Sequence, residues 1–147
     1  MLKLLILSSV VILSACATSS GSYQSPVVQM RNISLNIVKI YSESVAQSLA
    51  RMPKDEILES GKQSVASKLK DPLSAQFRNV RLVKYLDGAV ICGQVNAKNS
   101  YGGYVGFTDF VGSAYSATLR DSSSKYLEVI QAANAGLDTA CSGPEYK

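Results

Sequence analysis

The sequence contains no histidine and no tryptophan, and only 7% of its residues are aromatic. The lack of histidine excludes imidazole-based catalytic triads, imidazole metal sites and the commonest general base near neutral pH. The chain has three cysteines, and no two of them have the close spacing of a zinc knuckle. No glycine-rich phosphate-binding pattern lies between a predicted strand and a predicted helix. The sequence therefore predicts a protein that is not an enzyme and that holds no metal or cofactor.

Two groups of residues keep a catalytic alternative open. Ser64 and Lys68 share one face of a predicted helix, as in a serine–lysine dyad, although a solvated surface explains the same spacing. Acidic residues between positions 55 and 59 lie at the start of that helix, where the helix dipole favours them. A hydrolase that uses Ser64 or Asp109 is the resulting alternative hypothesis.

The amino terminus has the pattern of a signal peptide. Lys3 supplies a positive charge, and the apolar run LLILSSVVIL follows it. A membrane-spanning helix needs roughly 20 residues, so this shorter run is typical of the apolar region of a signal peptide. Small residues then lead directly to Cys16 in the stretch LSAC, residues 13–16.

This stretch resembles the lipobox of bacterial lipoprotein precursors. The resemblance implies cleavage after Ala15, a diacylglyceryl thioether on Cys16 and acylation of the freed amine. Several acyl chains, at about 0.8 kcal/mol per buried CH₂, would anchor the protein stably. The alternative is an ordinary cysteine near an ordinary cleavage site. An aspartate directly after the modified cysteine would resemble an inner-membrane retention signal, but this position is Ala17. We therefore expect the protein to be anchored at the periplasmic face of the outer membrane, with the inner membrane or the cell surface as alternatives.

We divide the chain into a signal peptide over residues 1–15, a lipidated tether over residues 16–25 and one domain over residues 26–147. The segment ATSSGSYQS, residues 17–25, is small and polar without apolar periodicity, which is typical of a flexible tether. The net charge of +4 is not concentrated in a basic block, so nucleic-acid binding is not predicted.

Apolar periodicity and turn residues predict an α+β domain: a small antiparallel sheet of three or four strands with helices packed on one face. The first helix begins at Pro26, and we expect its apolar stripe to pack in the core, with membrane contact as the alternative. That stripe consists of Met30, Ile33, Ile37, Ile40, Tyr41, Val45 and Leu49. Two further helices are predicted over residues 54–69 and 124–140, and strands are predicted from residue 77 to the hairpin, after it, over 104–111 and over 114–119.

The pair Asp87 and Gly88 predicts a two-residue hairpin turn that places Tyr85 opposite Val90. In this register Val83, Tyr85, Val90 and Cys92 share one face of the sheet. With Cys16 assigned to lipid, Cys92 and Cys141 form an even pair in an exported domain and predict a disulfide. The alternatives are two buried free thiols or a nucleophile at Cys92.

The segment NAKNSYGGYVGFTDF, residues 96–110, combines aromatic residues with glycines and asparagines. Glycines permit a tight turn, and tyrosine offers apolar area together with a hydroxyl group, so this segment predicts a binding surface. The residues assigned to it are Asn99, Tyr101, Tyr104 and Phe107. The alternative is that Tyr104 and Phe107 face opposite sides of a strand, which would place at least one of them in the core.

The stretches KDPLSAQFRNV and VICGQVNAKNSYGGYVGFTDF are similar to a motif pair in small uncharacterised exported proteins of bacteria and phages. This resemblance covers residues 60–111, implies no activity and favours one structural unit. The leading hypothesis is a non-enzymatic periplasmic binding module, held at the membrane through Cys16, with an envelope protein as its partner. The alternative is an inhibitor of a cell-wall hydrolase or a phage superinfection-exclusion factor.

Overall fold

A computed structural model describes residues 24–147 of the chain. Its strands form one antiparallel sheet in the order β1-β2-β3-β4. The elements are α1 (Pro26–Leu49), α2 (Lys54–Ala66), a 3₁₀ turn η1 (Pro72–Ser74), β1 (Gln76–Tyr85), β2 (Gly88–Asn96), β3 (Thr108–Gly112), β4 (Ala117–Leu119) and α3 (Leu127–Cys141). The predicted α+β fold with a small antiparallel sheet is confirmed. The predicted signal peptide and lipidation site, Cys16, lie outside the described residues.

The first helix begins where the sequence places it. The Ser25 hydroxyl accepts a hydrogen bond from the Val28 amide at 3.3 Å, and Pro26 occupies the first turn. The helix ends before Pro53, which cannot continue it. No helix within residues 24–147 has both the length and the apolar composition that a membrane crossing requires.

The helices cover both faces of the sheet. On one face Ile57 of α2 packs with Ile91, and on the other Leu137 of α3 packs with Val90. We expected the helices on one face. The difference arises because β2 carries apolar side chains at consecutive positions, which point alternately to the two faces, so each face requires a cover. Helix α1 contributes to both cores, through Val45 on one side and through Val38 and Tyr41 on the other.

The hairpin register differs from the predicted one. Tyr85 pairs with Gly88 and Val83 pairs with Val90, so the turn residues are Leu86 and Asp87. Gly88 lies inside β2. A side chain would not fit there, because α1 approaches closely and a Cβ would stand 2.5 Å from the Ser42 carbonyl oxygen. The slip is two residues, an even number, so each side chain keeps its face of the sheet. The predicted shared face of Val83, Tyr85, Val90 and Cys92 is therefore retained.

Four other boundaries differ from the expected ones, and the first is the end of α2, which lies at Ala66 rather than residue 69. β3 begins at Thr108 rather than residue 104, because Gly106 adopts a φ of +100° that a strand does not accommodate. β4 begins at Ala117, and α3 begins at Leu127. Tyr126, inside the predicted helix, precedes α3 and is exposed, whereas Asn134 within α3 is buried. The Asn134 side chain accepts a hydrogen bond from the Asp121 N–H and donates one to the Asp121 carbonyl, both at 2.8 Å. These two hydrogen bonds fix the loop before the helix.

The predicted disulfide between Cys92 and Cys141 is present. It joins β2 to the last residue of α3 across a separation of 49 residues. A link that closes a loop of this size stabilises a fold by roughly 2 to 4 kcal/mol on the chain-entropy account. The bond therefore fixes α3 against the face of the sheet that carries Val90 and Val111.

Candidate functional site

The loop between β2 and β3, residues 97–107, lies at one end of the sheet. The 3₁₀ turn η1 packs beside this loop, because the Lys98 amide donates a hydrogen bond to the Ser74 hydroxyl at 2.9 Å. Helix α1 lies at the opposite end, where Ser42 contacts the β1–β2 hairpin through a 2.6 Å hydrogen bond to the Tyr85 carbonyl. The loop is therefore separated from the helix that follows the predicted tether by the length of the strands.

Two asparagines set the conformation of this loop. The Asn99 side-chain oxygen accepts hydrogen bonds from the amides of Tyr101 at 2.9 Å and Gly103 at 3.1 Å. The Asn96 side-chain oxygen accepts another from the Gly106 amide at 3.0 Å. Gly102 adopts a φ of +82°, which glycine takes without strain. Asn99, predicted as a contact residue, thus uses its side-chain oxygen to hold the loop.

The braced loop presents apolar side chains to solvent. Tyr101 is 97% exposed, and Val105, Tyr104 and Phe107 are also exposed. Tyr104 sits against η1, since its hydroxyl lies 3.4 Å from the Ser74 carbonyl. The same turn carries Leu73, which is 99% exposed. We call Leu73, Tyr101, Tyr104, Val105 and Phe107 the loop surface.

The alternative that placed Tyr104 or Phe107 in the core does not hold, because both are exposed. The Arg78 guanidinium lies 3.8 Å from the centre of the Phe107 ring, close enough for a cation–π interaction. Sequence reasoning missed Leu73 and Val105. The available signal for Leu73 was its place after Pro72 in a very short turn, which has no inner face on which to bury a side chain.

Three lysines lie beside the loop surface. Lys68, Lys70 and Lys98 line a cleft of about 220 Å³ together with Val105. Within residues 24–147 none of the three has a carboxylate within salt-bridge distance. The Lys98 ammonium lies 5.7 Å from the centre of the Tyr104 ring. Three lysines that form no ion pair in the described part of the chain therefore lie beside the loop surface.

A polar network crosses the sheet behind the loop. Arg78 donates to Gln94 at 2.7 Å, and Gln94 donates to Asp109 at 2.7 Å. Arg120 donates to Asp109 at 2.9 Å and to Asp138 at 2.6 Å. These hydrogen bonds lower the pKa of Asp109, chiefly through Gln94, and raise the pKa of Arg120, chiefly through Asp138.

This network borders a cleft of about 390 Å³ that also includes the disulfide cysteines and Arg81. Arg120 forms ion pairs there with both Asp109 and Asp138, so the network joins β2 and β3 to α3. It also holds Arg78 in place beneath Phe107. The network is therefore a support for the loop surface.

The residues considered for catalysis have other contacts. The Ser64 hydroxyl donates to the Ala114 carbonyl at 2.9 Å, and Lys68 lies beyond the end of α2. The Asp109 carboxylate accepts from Gln94 and Arg120, as described above. In the described part of the chain, no three potential metal-ligating carboxylates or thiols come together.

Comparisons of the chain with protein-family models, with curated proteins and with solved structures gave no match. The resemblance of residues 13–16 to a lipobox and that of residues 60–111 to small exported proteins therefore stay predictions.

Proposed function

We propose that this protein is a lipid-anchored binding module of the bacterial cell envelope, which contacts another envelope protein through the loop surface. The observation that carries the proposal is that the side chains of the loop surface are exposed while the backbone of the loop is fixed by hydrogen bonds. Leu73 and Tyr101 are almost fully exposed, while Asn96 and Asn99 fix the backbone that presents the loop. Apolar area buried in a contact gains about 25 cal/mol per Å², and a pre-ordered loop loses little entropy on binding.

The charges around the loop indicate the chemistry of the partner. Lys68, Lys70 and Lys98 line a cleft beside the apolar side chains and form no ion pair within the described residues. A complementary surface would place carboxylates around an apolar pocket. The proposed partner is therefore a protein with an acidic rim and an apolar centre.

The proposed anchor is Cys16, and its support is the sequence pattern that precedes it. Nine residues separate Cys16 from Pro26, and at about 3.5 Å per residue they span at most about 30 Å. An anchor there would keep the domain close to one membrane. A Cys16→Ser variant should leave the membrane fraction, and mass spectrometry of the wild-type protein should recover an acylated peptide that begins at Cys16.

The loop surface is tested by crosslinking and affinity capture of the full chain from cells. We expect the double variant Leu73→Ala and Tyr101→Ala to lose the crosslinked partner while its circular dichroism stays that of the wild type. Tyr115→Ala is the matched control, because Tyr115 is an exposed tyrosine in the β3–β4 turn at the other end of the sheet. Retention of the same partners by the double variant would contradict the proposed surface.

A second candidate is an inhibitor of a cell-wall hydrolase, favoured by the rigid, exposed loop, since inhibitors commonly bind with little backbone movement. This role predicts that the captured partner is a hydrolase. It also predicts that the wild-type protein lowers the activity of that hydrolase, whereas Tyr101→Ala does not. A captured partner without hydrolase activity would leave the binding module as the assignment.

A further inference from the structure

Helix α1 carries a row of apolar side chains that its own domain does not bury. Ile33 is 60% exposed and Ile40 is 54% exposed, Met30 is also exposed, and Ile37 between them is partly buried. We call these four residues the α1 stripe. It lies beside the buried face of the helix, which consists of Val38, Tyr41, Ser42, Val45 and Ser48.

The α1 stripe borders an apolar groove between α1 and α3. The groove has a volume of about 190 Å³, and Met30, Ile33 and Ile37 face Ala133 and Leu137 across it. The groove stays narrow because Ser34 ties the two helices together: it donates to the Ala133 carbonyl at 2.7 Å and accepts from the Gly136 amide at 2.9 Å. The stripe is therefore held on a rigid pair of helices.

The spacing of the α1 stripe is three, four and three residues, which is the a and d pattern of a two-helix seam. The neighbouring face of α1 supplies its buried core residues. Within the stripe Ile37 also packs against that core, whereas Met30, Ile33 and Ile40 stay exposed. A row with this spacing fits best against another helix. It extends over about ten residues, which is roughly 15 Å of helix at 1.5 Å per residue.

The residues beside the stripe distinguish a protein from a membrane as its occupant. The exposed residues on its outer flank are Gln29, Asn32 and Asn36, whereas Lys39 and Glu43 lie further round the helix, beside Leu86 and Asp87 of the hairpin. This flank carries amide side chains and no charge, whereas helices that lie on membranes carry an excess of lysine and arginine on the polar side. Amide side chains can donate and accept hydrogen bonds equally, so this flank can meet its own copy without like-charge repulsion.

We propose that two copies of this chain pair through the α1 stripe. A two-fold axis brings the same patch of both copies together, and the stripe is apolar along its whole length, so it complements itself. Neither the loop surface nor the disulfide takes part in the pair.

The chain outside the described residues favours this encounter. Residues 17–25 allow at most about 30 Å between Cys16 and α1, so anchored copies would hold their stripes within the same thin layer. Confinement of this kind raises the effective concentration, which lets an interface smaller than about 800 Å² per partner persist. This step rests on the proposed anchor, whereas the seam itself rests on the α1 stripe.

The pairing is tested with the full chain in cells through an Ile37→Cys variant and a short bismaleimide crosslinker. Ile37 lies near the middle of the stripe, so it stands close to its own copy whether the two helices run parallel or antiparallel. We expect a crosslinked species of twice the mass. Ala46→Cys is the matched control, because Ala46 is exposed on the side of α1 that faces Leu86 and Asp87 of the hairpin.

A charge placed in the seam should abolish the crosslink. Adding Ile40→Lys to Ile37→Cys places an unpaired ammonium in the contact, while the exposure of Ile40 in the single copy keeps the fold unaffected. Circular dichroism of the purified variant checks the fold. Membrane fractionation of the same cells reports the anchor separately, so a failed anchor and a failed pairing give different results.

Two results would overturn the pairing. One is an Ile37→Cys chain that gives no more crosslinked species of twice the mass than the Ala46→Cys control. The other is a membrane contact in its place: Ile33→Trp supplies the only tryptophan of the chain, and its fluorescence would shift to the blue on addition of vesicles of zwitterionic lipid. Pairing predicts no such shift, because the partner helix covers the stripe.

Discussion

Asp109 joins three parts of the fold through one carboxylate. Gln94 reaches it from β2, and Arg120 reaches it from the segment after β4 and continues to Asp138 on α3. The Arg120 amide also donates to the Asp109 carbonyl at 2.8 Å. Because the charged form of Asp109 accepts these hydrogen bonds, its pKa is lowered, and the network is strongest when Asp109 is ionised.

Replacement of Asp109 by asparagine should change how the free energy of unfolding depends on pH in the acid range. A lowered pKa in the folded state means that the contribution of Asp109 is complete above about pH 4, the unfolded value, and is lost as the pH falls through the lower folded value. Asp109→Asn should therefore be less stable at pH 7 by only about 1 kcal/mol, because the site is partly exposed. Its free energy of unfolding should also depend less on pH in the acid range. Urea denaturation between pH 2 and pH 7 measures both effects, and a variant with the slope of the wild type would contradict the account.

Single residues in the sequence could indicate a turn without indicating its register. Gly88 follows Asp87 in a typical hairpin pair, yet it serves the approach of Ser42 rather than the turn, and Leu86 takes the positive φ of 51°. That requirement comes from α1, which is distant in sequence. Conversely, the disulfide partners Cys92 and Cys141 could be predicted, because export and an even number of cysteines left one pairing.

At the scale of the elements, the sequence could locate α1, because its signals are local. Ser25 caps it and Pro53 ends it, and both effects act within a few residues. The cover over both faces of the sheet depends on contacts between distant segments. The start of β3 depends on the positive φ of Gly106, whose amide bonds the side chain of Asn96. The candidate surface was found through its aromatic residues, but the role of Asn99 required the backbone of the loop, since the same amide can serve a partner or its own chain.

The loop between β2 and β3 should lose its order when Asn99 is replaced. Asn99→Ala removes the acceptor for the Tyr101 and Gly103 amides, so we expect faster hydrogen exchange at these two amides and weaker capture of the partner. Global stability should change by less than about 1 kcal/mol, because the loop is exposed. Hydrogen exchange by NMR measures the local effect.

Ser100→Ala is the matched control for this loop, since Ser100 is an exposed neighbour of Asn99. It should keep the exchange rates and the partner capture of the wild type. Unchanged exchange at residues 101 and 103 in Asn99→Ala would show that the backbone hydrogen bonds between Asn99 and residues 102 and 103 suffice to order the loop, and the proposed role of the Asn99 side chain would be wrong.

The two proposed contacts lie toward opposite ends of the sheet. Helix α1 packs against the end of the sheet that carries the β1–β2 and β3–β4 turns, where the Tyr41 hydroxyl lies 2.8 Å from that of Thr118. The loop surface occupies the other end. Pairing through the α1 stripe would therefore leave both loop surfaces free, and two linked contacts raise avidity by about 10²- to 10⁴-fold where a partner can engage both.

Charge should affect partner binding at a different step from apolar contact. Changing Lys68, Lys70 and Lys98 to glutamine should slow association and flatten its salt dependence, because local charge steers the encounter, whereas Tyr101→Ala should mainly speed dissociation. Binding rates to the captured partner at several salt concentrations measure both. A control with glutamine at Lys54, Lys84 and Lys125 carries the same net charge away from the loop. If that control slowed association equally, overall charge would replace the lysines beside the loop surface as the steering element, and the assignment of an acidic rim to the partner would be wrong.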